Sequence, residues 1–355
     1  MTRRILIWLT VATIIARASA QTGALRGPVA LVNSGREWGF IDKKGAYVFG
    51  HFEGAGDFSE GLAPVKIGGK WGYIDSAGST VIAPLFDEAE SFSQGFARVV
   101  VAGVEDFITR TGTVAFALPF DHVLSFSCGR ALVAIDQKFG YLDLNGDLAI
   151  EPKYDKALPF SEGLAYVETR GAKGFIDTSG KLLASVSFDE SAGGFHEGRC
   201  AVRIGNKWGF MNAKGEVAIA PRFDSALSFS DGLARVTIAH QYYFINVGGK
   251  TVIGPRYHHS MGCEGSQFSE GITSVWMDGD QRCGFIDRKN KLVIQTRLDV
   301  MAARFEGFSE GLAAFQTADG TWGFINRAGE IVIAPRYNFV SRFVLTDKIS
   351  RCQVR

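Results

Sequence analysis

The stretch PRYHHSMGCEGSQFSEGITSVWMDGDQRCGF, residues 255–285, places His258, His259 and Cys263 close together, with Glu264 beside them and Cys283 further along. Imidazole and thiolate are donors that zinc prefers, and a neighbouring carboxylate can move the proton of a metal-bound water. The spacing matches no established zinc pattern, however. The same cysteines can instead form a Cys263–Cys283 disulfide, which for a loop of this length contributes about 3 kcal/mol in an oxidising compartment. The disulfide is the preferred reading, a metal site on His258, His259 and Cys263 is the second, and two unpaired thiols are the third.

Other residues capable of chemistry are scattered. The histidines lie at 51, 122, 196, 240, 258 and 259, and only the last two adjoin. There is no Gly-x-Ser-x-Gly elbow, His-Glu-x-x-His, phosphate-binding glycine loop or Cys-x-x-Cys, so no catalytic residue and no cofactor is assigned. Cys128, Cys200 and Cys352 read as single replacements at repeat positions.

Two acidic columns remain, and both belong to a repeat. An aromatic recurs as Phe40, Tyr73, Phe107, Tyr141, Phe175, Phe210, Phe244, Phe285 and Phe324, at spacings of 33, 34, 34, 34, 35, 34, 41 and 39 residues. Two residues later stands Asp or Asn in eight of nine copies, such as Asp42, Asp75 and Asn212, with Thr109 the exception. Three further on stands Gly, replaced once by Asn290. Repeated Asp and Gly are compatible with Ca²⁺ loops. A type I turn closed by a left-handed residue explains them more simply, because Asn is the best substitute for Gly at positive φ. The second column, Glu60, Glu162, Glu197, Asp231, Glu270 and Glu310, lies in FSEG-like segments and admits Gln94 and Cys128. A row of cation-binding carboxylates is one reading; loop capping is preferred.

The elements that carry these columns follow from the pattern. A WGFID-like strand precedes the Asp turn, a short β-rich strand follows it, and a proline ends that strand in six copies. An aromatic-pinned loop then leads through FSEGLA to a third alternating strand. Such a meander is too small to bury its apolar face alone, so each unit must lean on its neighbours. Trp38-Gly39, Trp71-Gly72, Trp208-Gly209 and Trp322-Gly323 recur at one repeat position, where Phe139 and Lys173 also occur. That substitution pattern favours a packing aromatic over a sugar platform. The glycine leaves room for the ring or a neighbouring backbone.

KWGYIDSAGSTVIAPLFDEAESFSQGFARV at 70–99 and KWGFMNAKGEVAIAPRFDSALSFSDGLARV at 207–236 resemble the WG-repeat family, which is common in bacterial proteins. The resemblance extends over most of the chain. Gly140 and Gly174 lack the preceding Trp, and Asp106 and Tyr243 replace the Gly. It implies a β-rich repeat protein and no reaction. The expected fold is all-β, a tandem array of antiparallel meanders in an open curved or superhelical row. The alternative is a closed propeller-like ring. The strand at 28–32 and the incomplete ninth unit after Phe343 complement each other and favour closure, but nine units exceed the four to eight blades typical of propellers.

Composition bounds the partners. Of 355 residues, 38 are Lys or Arg and 37 are Asp or Glu, so net charge recruits neither nucleic acid nor an anionic membrane. Residues 1–20 carry Arg3 and Arg4, an apolar run and Ala18-Ser19-Ala20, the pattern of a cleavable signal peptide. Residues 21–355 then form one domain of nine repeats, irregular around 255–285, with no transmembrane span after cleavage. The expectation is a periplasmic or secreted, non-catalytic binding or scaffold module for a protein or cell-envelope polymer. An enzyme centred on His258, His259 and Glu264 is the alternative.

Overall fold

The computed structural model describes residues 27–116, 121–183, 188–191, 193–255, 267–277, 282–299, 304–347 and 352. The proposed signal peptide and His258, His259, Cys263 and Glu264 lie outside them. The described chain forms nine small antiparallel sheets and no helix. Numbered in order around the molecule, blade 1 combines 339–340 with 30–33, 38–41 and 47–52. Blade 2 covers 54–86, blade 3 88–109, blade 4 122–154 and blade 5 156–177. Blade 6 covers 190–223, blade 7 225–253, blade 8 272–299 and blade 9 304–337.

A complete blade has four strands, one more than the repeat pattern suggests. The extra strand, such as Gly54–Ala55 or Ser225–Ala226, is two residues long and lies within the segment expected to be loop. It pairs with the start of the next hairpin through only two residue pairs, Gly54↔Lys66 and Ala55↔Val65 in blade 2. Between the two comes the FSEG turn. In blade 2, Glu60 and Gly61 take φ of 54° and 84°, and Ser59 and Leu62 exchange backbone hydrogen bonds of 2.9 and 3.1 Å. Two successive positive φ angles define a type I′ turn, whose twist matches that of antiparallel strands and whose second position favours glycine.

The row of blades closes into a ring, so the open array expected above is corrected to a nine-bladed β-propeller. Closure is visible in three sets of contacts. First, the strand Ala30–Asn33 pairs with Phe339–Val340, and Val29 bridges Val344, so the two ends of the chain complete one sheet. Second, nine buried apolar clusters each draw on two successive blades, including one between blade 9 (Phe324, Ile333, Tyr337) and blade 1 (Ala30, Val32, Ile41). An open row of nine units has only eight interfaces. Third, the FSEG-position aromatic of each blade packs on the repeat aromatic of the blade before it, with centroids 4.7–5.1 Å apart at all nine junctions. Such ring pairs add roughly 1 kcal/mol each beyond the area they bury.

The Trp-Gly pair has a geometric basis. In blade 6, Trp208 pairs with Phe223 and Phe210 with Ile219, so the partner strand bulges around Ala220, Pro221 and Arg222. Pro221 therefore sits where no ladder N–H is required. The bulge brings its backbone against Gly209: a Cβ there meets Ile219 O at 2.5 Å and Pro221 N at 2.8 Å. Gly72, Gly140 and Gly323 show the same close approach to Ile82, Ile150 and Ile333. Trp38, Trp71, Trp208 and Trp322 are half-buried against the cluster their blade shares with the next.

Candidate functional site

Both acidic columns lie in turns, and the structure shows how most of their carboxylates are used. Asp42 Oδ1 accepts hydrogen bonds from the amides of Lys44 and Ala46, both 2.9 Å, inside its own turn. Asp75, Asp143, Asp177 and Asp287 repeat the arrangement, as do Asn212, Asn246 and Asn326 through their amide oxygens. At the exceptional copy the hydroxyls of Thr109, Thr111 and Thr113 bond one another. A single oxygen taking two amides is turn chemistry, and Asn replaces Asp because the role needs no charge.

The FSEG column joins blades. Glu60 of blade 2 accepts from the amides of Gln94 (2.7 Å) and Gly95 (2.9 Å), the two positive-φ residues of the next turn. Glu162 does the same for Glu197 and Gly198, both at 2.7 Å. Gln94 caps Gly129, Glu197 caps Gly232, Asp231 caps Gly271 and Glu270 caps Gly311. Beside it the FSEG serine donates to the carbonyl of the next FSEG-position aromatic, for example Ser161 Oγ to Phe195 O at 2.6 Å. In blade 1, where the chain ends replace the tight turn, Thr346 O takes over and accepts from Gly61 N at 2.8 Å.

These caps are structural, which gives a direct expectation. Glu60 is buried, so Glu60→Ala leaves two turn amides unpaired and is expected to cost about 2 kcal/mol, whereas Glu60→Gln, which keeps acceptor oxygen, costs about half as much. Urea unfolding of the two variants measures the difference, and equal costs would remove the capping argument.

Cys128 occupies the same column but is bonded to Cys352 in a disulfide, with Cα atoms 4.7 Å apart across 224 residues of sequence. The reading of both as isolated replacements is therefore corrected. Cys128 Sγ also lies 3.4 Å from Gly163 N, a weak remnant of the cap. Beyond Val344 and Thr346, which bind blades 1 and 2, the chain is thus anchored again at blade 4. Beside the bridge is a cavity of about 280 Å³ whose wall includes Gln94, Ser127, Glu162, His196 and Cys352. It spans the FSEG turns of blades 3 to 6 and is a concave feature that the described rim offers to a ligand.

The remaining candidates lie elsewhere. Cys283 holds the Trp position of blade 8 and is buried in the core between blades 8 and 9. Its expected partner Cys263 falls outside the described residues. Cys200 is a buried free thiol whose pKa burial pushes up to about 11, so it is neutral and unreactive at physiological pH. No group of three or more His, Cys, Asp or Glu is placed to hold a metal among the described residues. At blade 3, Glu105 replaces the Trp and accepts from Arg98 of the same blade (2.8 Å) and from Val123 N of blade 4 (3.0 Å), so a carboxylate–amide hydrogen bond joins the blades where a ring packs elsewhere. Arg98 and the Val123 amide hold the Glu105 carboxyl below its ordinary pKa, against the desolvation that raises it.

The model of the WG containing repeat matches residues 38–71, 71–103, 139–171, 174–208, 208–239, 284–320 and 322–344, more than half of the chain. The chain belongs to the WG-repeat family. The unmatched stretches within the ring of this WG-repeat protein contain Asp106 and Tyr243, where the Gly is lost. No match is found among curated proteins. Among solved structures, the crystal structure of a eukaryotic initiation factor aligns with 92% of this chain and 98% of its own, at 11% identity and a TM-score of 0.63. That likeness is one of fold alone. The dihydro-heme d1 dehydrogenase NirN aligns with 95% of this chain and 78% of its own at 14% identity and a TM-score of 0.46. The computationally designed Ika8 protein aligns with 77% of this chain and 95% of its own at 14% identity and a TM-score of 0.44.

Proposed function

We propose that this WG-repeat propeller is an exported, non-catalytic scaffold that binds a protein or a polymer of the cell envelope. The observation that carries this reading is how the recurring polar groups are used. The Asp turns and most FSEG caps take up framework amides, which leaves rim residues between them free to vary without loss of fold. Chemistry needs a nucleophile or base with unspent capacity in a cleft, whereas recognition needs a rigid surface with variable side chains. Two further features support export: the signal-like segment at 1–20, and the Cys128–Cys352 disulfide, a bond that persists in oxidising compartments.

The test uses oxidised protein beginning at Gln21 as bait against a solubilised envelope fraction. The expected result is one saturable partner retained by folded bait and lost when the bait is denatured. In parallel, N-terminal sequencing of the exported native protein should read from Gln21. Absence of any saturable partner, or an intact Met1 on the native protein, overturns the reading.

A further inference from the structure

The FSEG carboxylates differ in what meets their outward lone pairs. On blade 8, Glu270 caps Gly311 and also meets the Arg327 guanidinium, Nη2 to Oε2 at 2.8 Å. On blade 7, Asp231 caps Gly271 and meets Arg288 at 3.3 Å. Arg327 and Arg288 hold one repeat position, directly after the Asn326 or Asp287 that opens the next blade's Asp turn. Arg110 holds it for blade 2, with Nη2 3.3 Å from where a Cβ on Gly61 would stand. On blades 7 and 8 a guanidinium from the following blade is therefore this carboxylate's partner, and on blade 2 one stands beside the same turn.

Along the cavity that pairing is broken in an informative way. Opposite Gln94 the position is Leu144, and opposite Cys128 it is Thr178, so charge and counter-charge are lost together. Opposite Glu162 it is Ala213: the carboxylate stays and the arginine is gone. Glu162 makes no ion pair among the described residues, and its two caps at 2.7 Å leave each oxygen a further lone pair. Glu197 also loses its arginine, to Val247, but it is outside the cavity wall. Glu162 is in that wall, with Gln94 and His196. The volume of about 280 Å³ is just below the usual range for small-ligand sites.

We propose that this cavity recognises the guanidinium of an arginine side chain on a partner, which occupies in trans the place that Arg327 fills in cis on blade 8. The planar fork of arginine suits a carboxylate already held rigid by two amides, and it needs no reorganisation of the turn. The proposal rests on the scaffold reading and adds the chemistry of one contact.

The test titrates the oxidised full-length mature protein with N-acetylargininamide, using N-acetylcitrullinamide as the neutral isostere, and follows binding by calorimetry. Saturable binding of the arginine probe is expected, with at least about tenfold weaker binding of the citrulline probe and a similar loss in Glu162→Gln. The decisive variant is Ala213→Arg. It restores the cis arginine, so it is expected to abolish probe binding while leaving thermal stability unchanged or raised. If wild type fails to saturate, or Ala213→Arg binds as wild type does, the site is refuted. Retained capture of the envelope partner by Ala213→Arg refutes the arginine contact alone and leaves the scaffold reading standing.

Discussion

Loss of the Cys128–Cys352 bridge is expected to lower the unfolding free energy by about 3 kcal/mol. The chain-entropy estimate for a loop spanning 224 residues is about 5 kcal/mol, the advantage the unfolded chain gains when the link is cut. Removal of a native bridge commonly costs less than that estimate, within about 2–5 kcal/mol. The ring itself should survive, since strands 30–33 and 339–340 and the Phe324–Phe343 pair close it independently. Denaturant unfolding of Cys128→Ser/Cys352→Ser against wild type measures the effect. A second variant isolates the bridge from the cap. Cys128→Glu/Cys352→Ser gives Gly163 N the carboxylate that other turns have, and is expected to recover about 1 kcal/mol. An unchanged midpoint in the serine variant would mean that the tail adds nothing to the ring. With Cys263 and Cys283 also paired, alkylation in denaturant without reductant should label one cysteine of five, Cys200.

How far each feature is legible in the sequence depends on the range over which it is determined. The Asp-x-x-Gly turn is fixed within four residues, so Asn290 in place of Gly, at φ 64°, is readable from the sequence alone. The acidic column is readable only as a choice between cation binding and capping. The choice turns on which amides face Glu60, and those belong to residues 34 and 35 positions away. The two-residue strand escapes a reading by pattern because alternation cannot show over so short a run. Ring closure does leave a clue, the split between residues 28–32 and the unit that fails after Phe343. Against it stands only the smaller blade number typical of propellers. The local complementarity is the stronger of the two arguments, since a strand without its partner leaves an open edge that some segment must cover. The Cys128–Cys352 pairing lies beyond reach: connectivity does not follow from spacing, and an odd cysteine count hides which one is left over.

Gly209→Ala is expected to destabilise the protein by about 3 kcal/mol, the upper part of the range for overpacking a well-filled site. The cost comes from backbone: the new methyl stands 2.5 Å from Ile219 O and 2.8 Å from Pro221 N, and a carbonyl in a bulge cannot rotate aside as a side chain can. The position needs no left-handed conformation, since Gly209 is not among the residues with positive φ, so strain in φ is not the reason. Gly174, the same repeat position in blade 5, supplies the control. A Cβ there meets Leu182 Cδ1 at 2.7 Å, the tip of a side chain that is 56% exposed and free to turn outward. Gly174 is buried as well, but the tip can move, so Gly174→Ala is expected to cost less, about 1 kcal/mol, the low end for overpacking. The repeat lacks its Trp at that blade, where Lys173 stands instead, and it lacks the proline as well. Among the described residues, what an added methyl at Gly174 meets is a side-chain tip and not backbone. Unfolding midpoints of the two alanine variants, taken side by side, decide the matter. A large cost at Gly209 with a smaller one at Gly174 assigns the glycine of the Trp-Gly pair to close backbone approach, and equal costs assign it to something the two blades share.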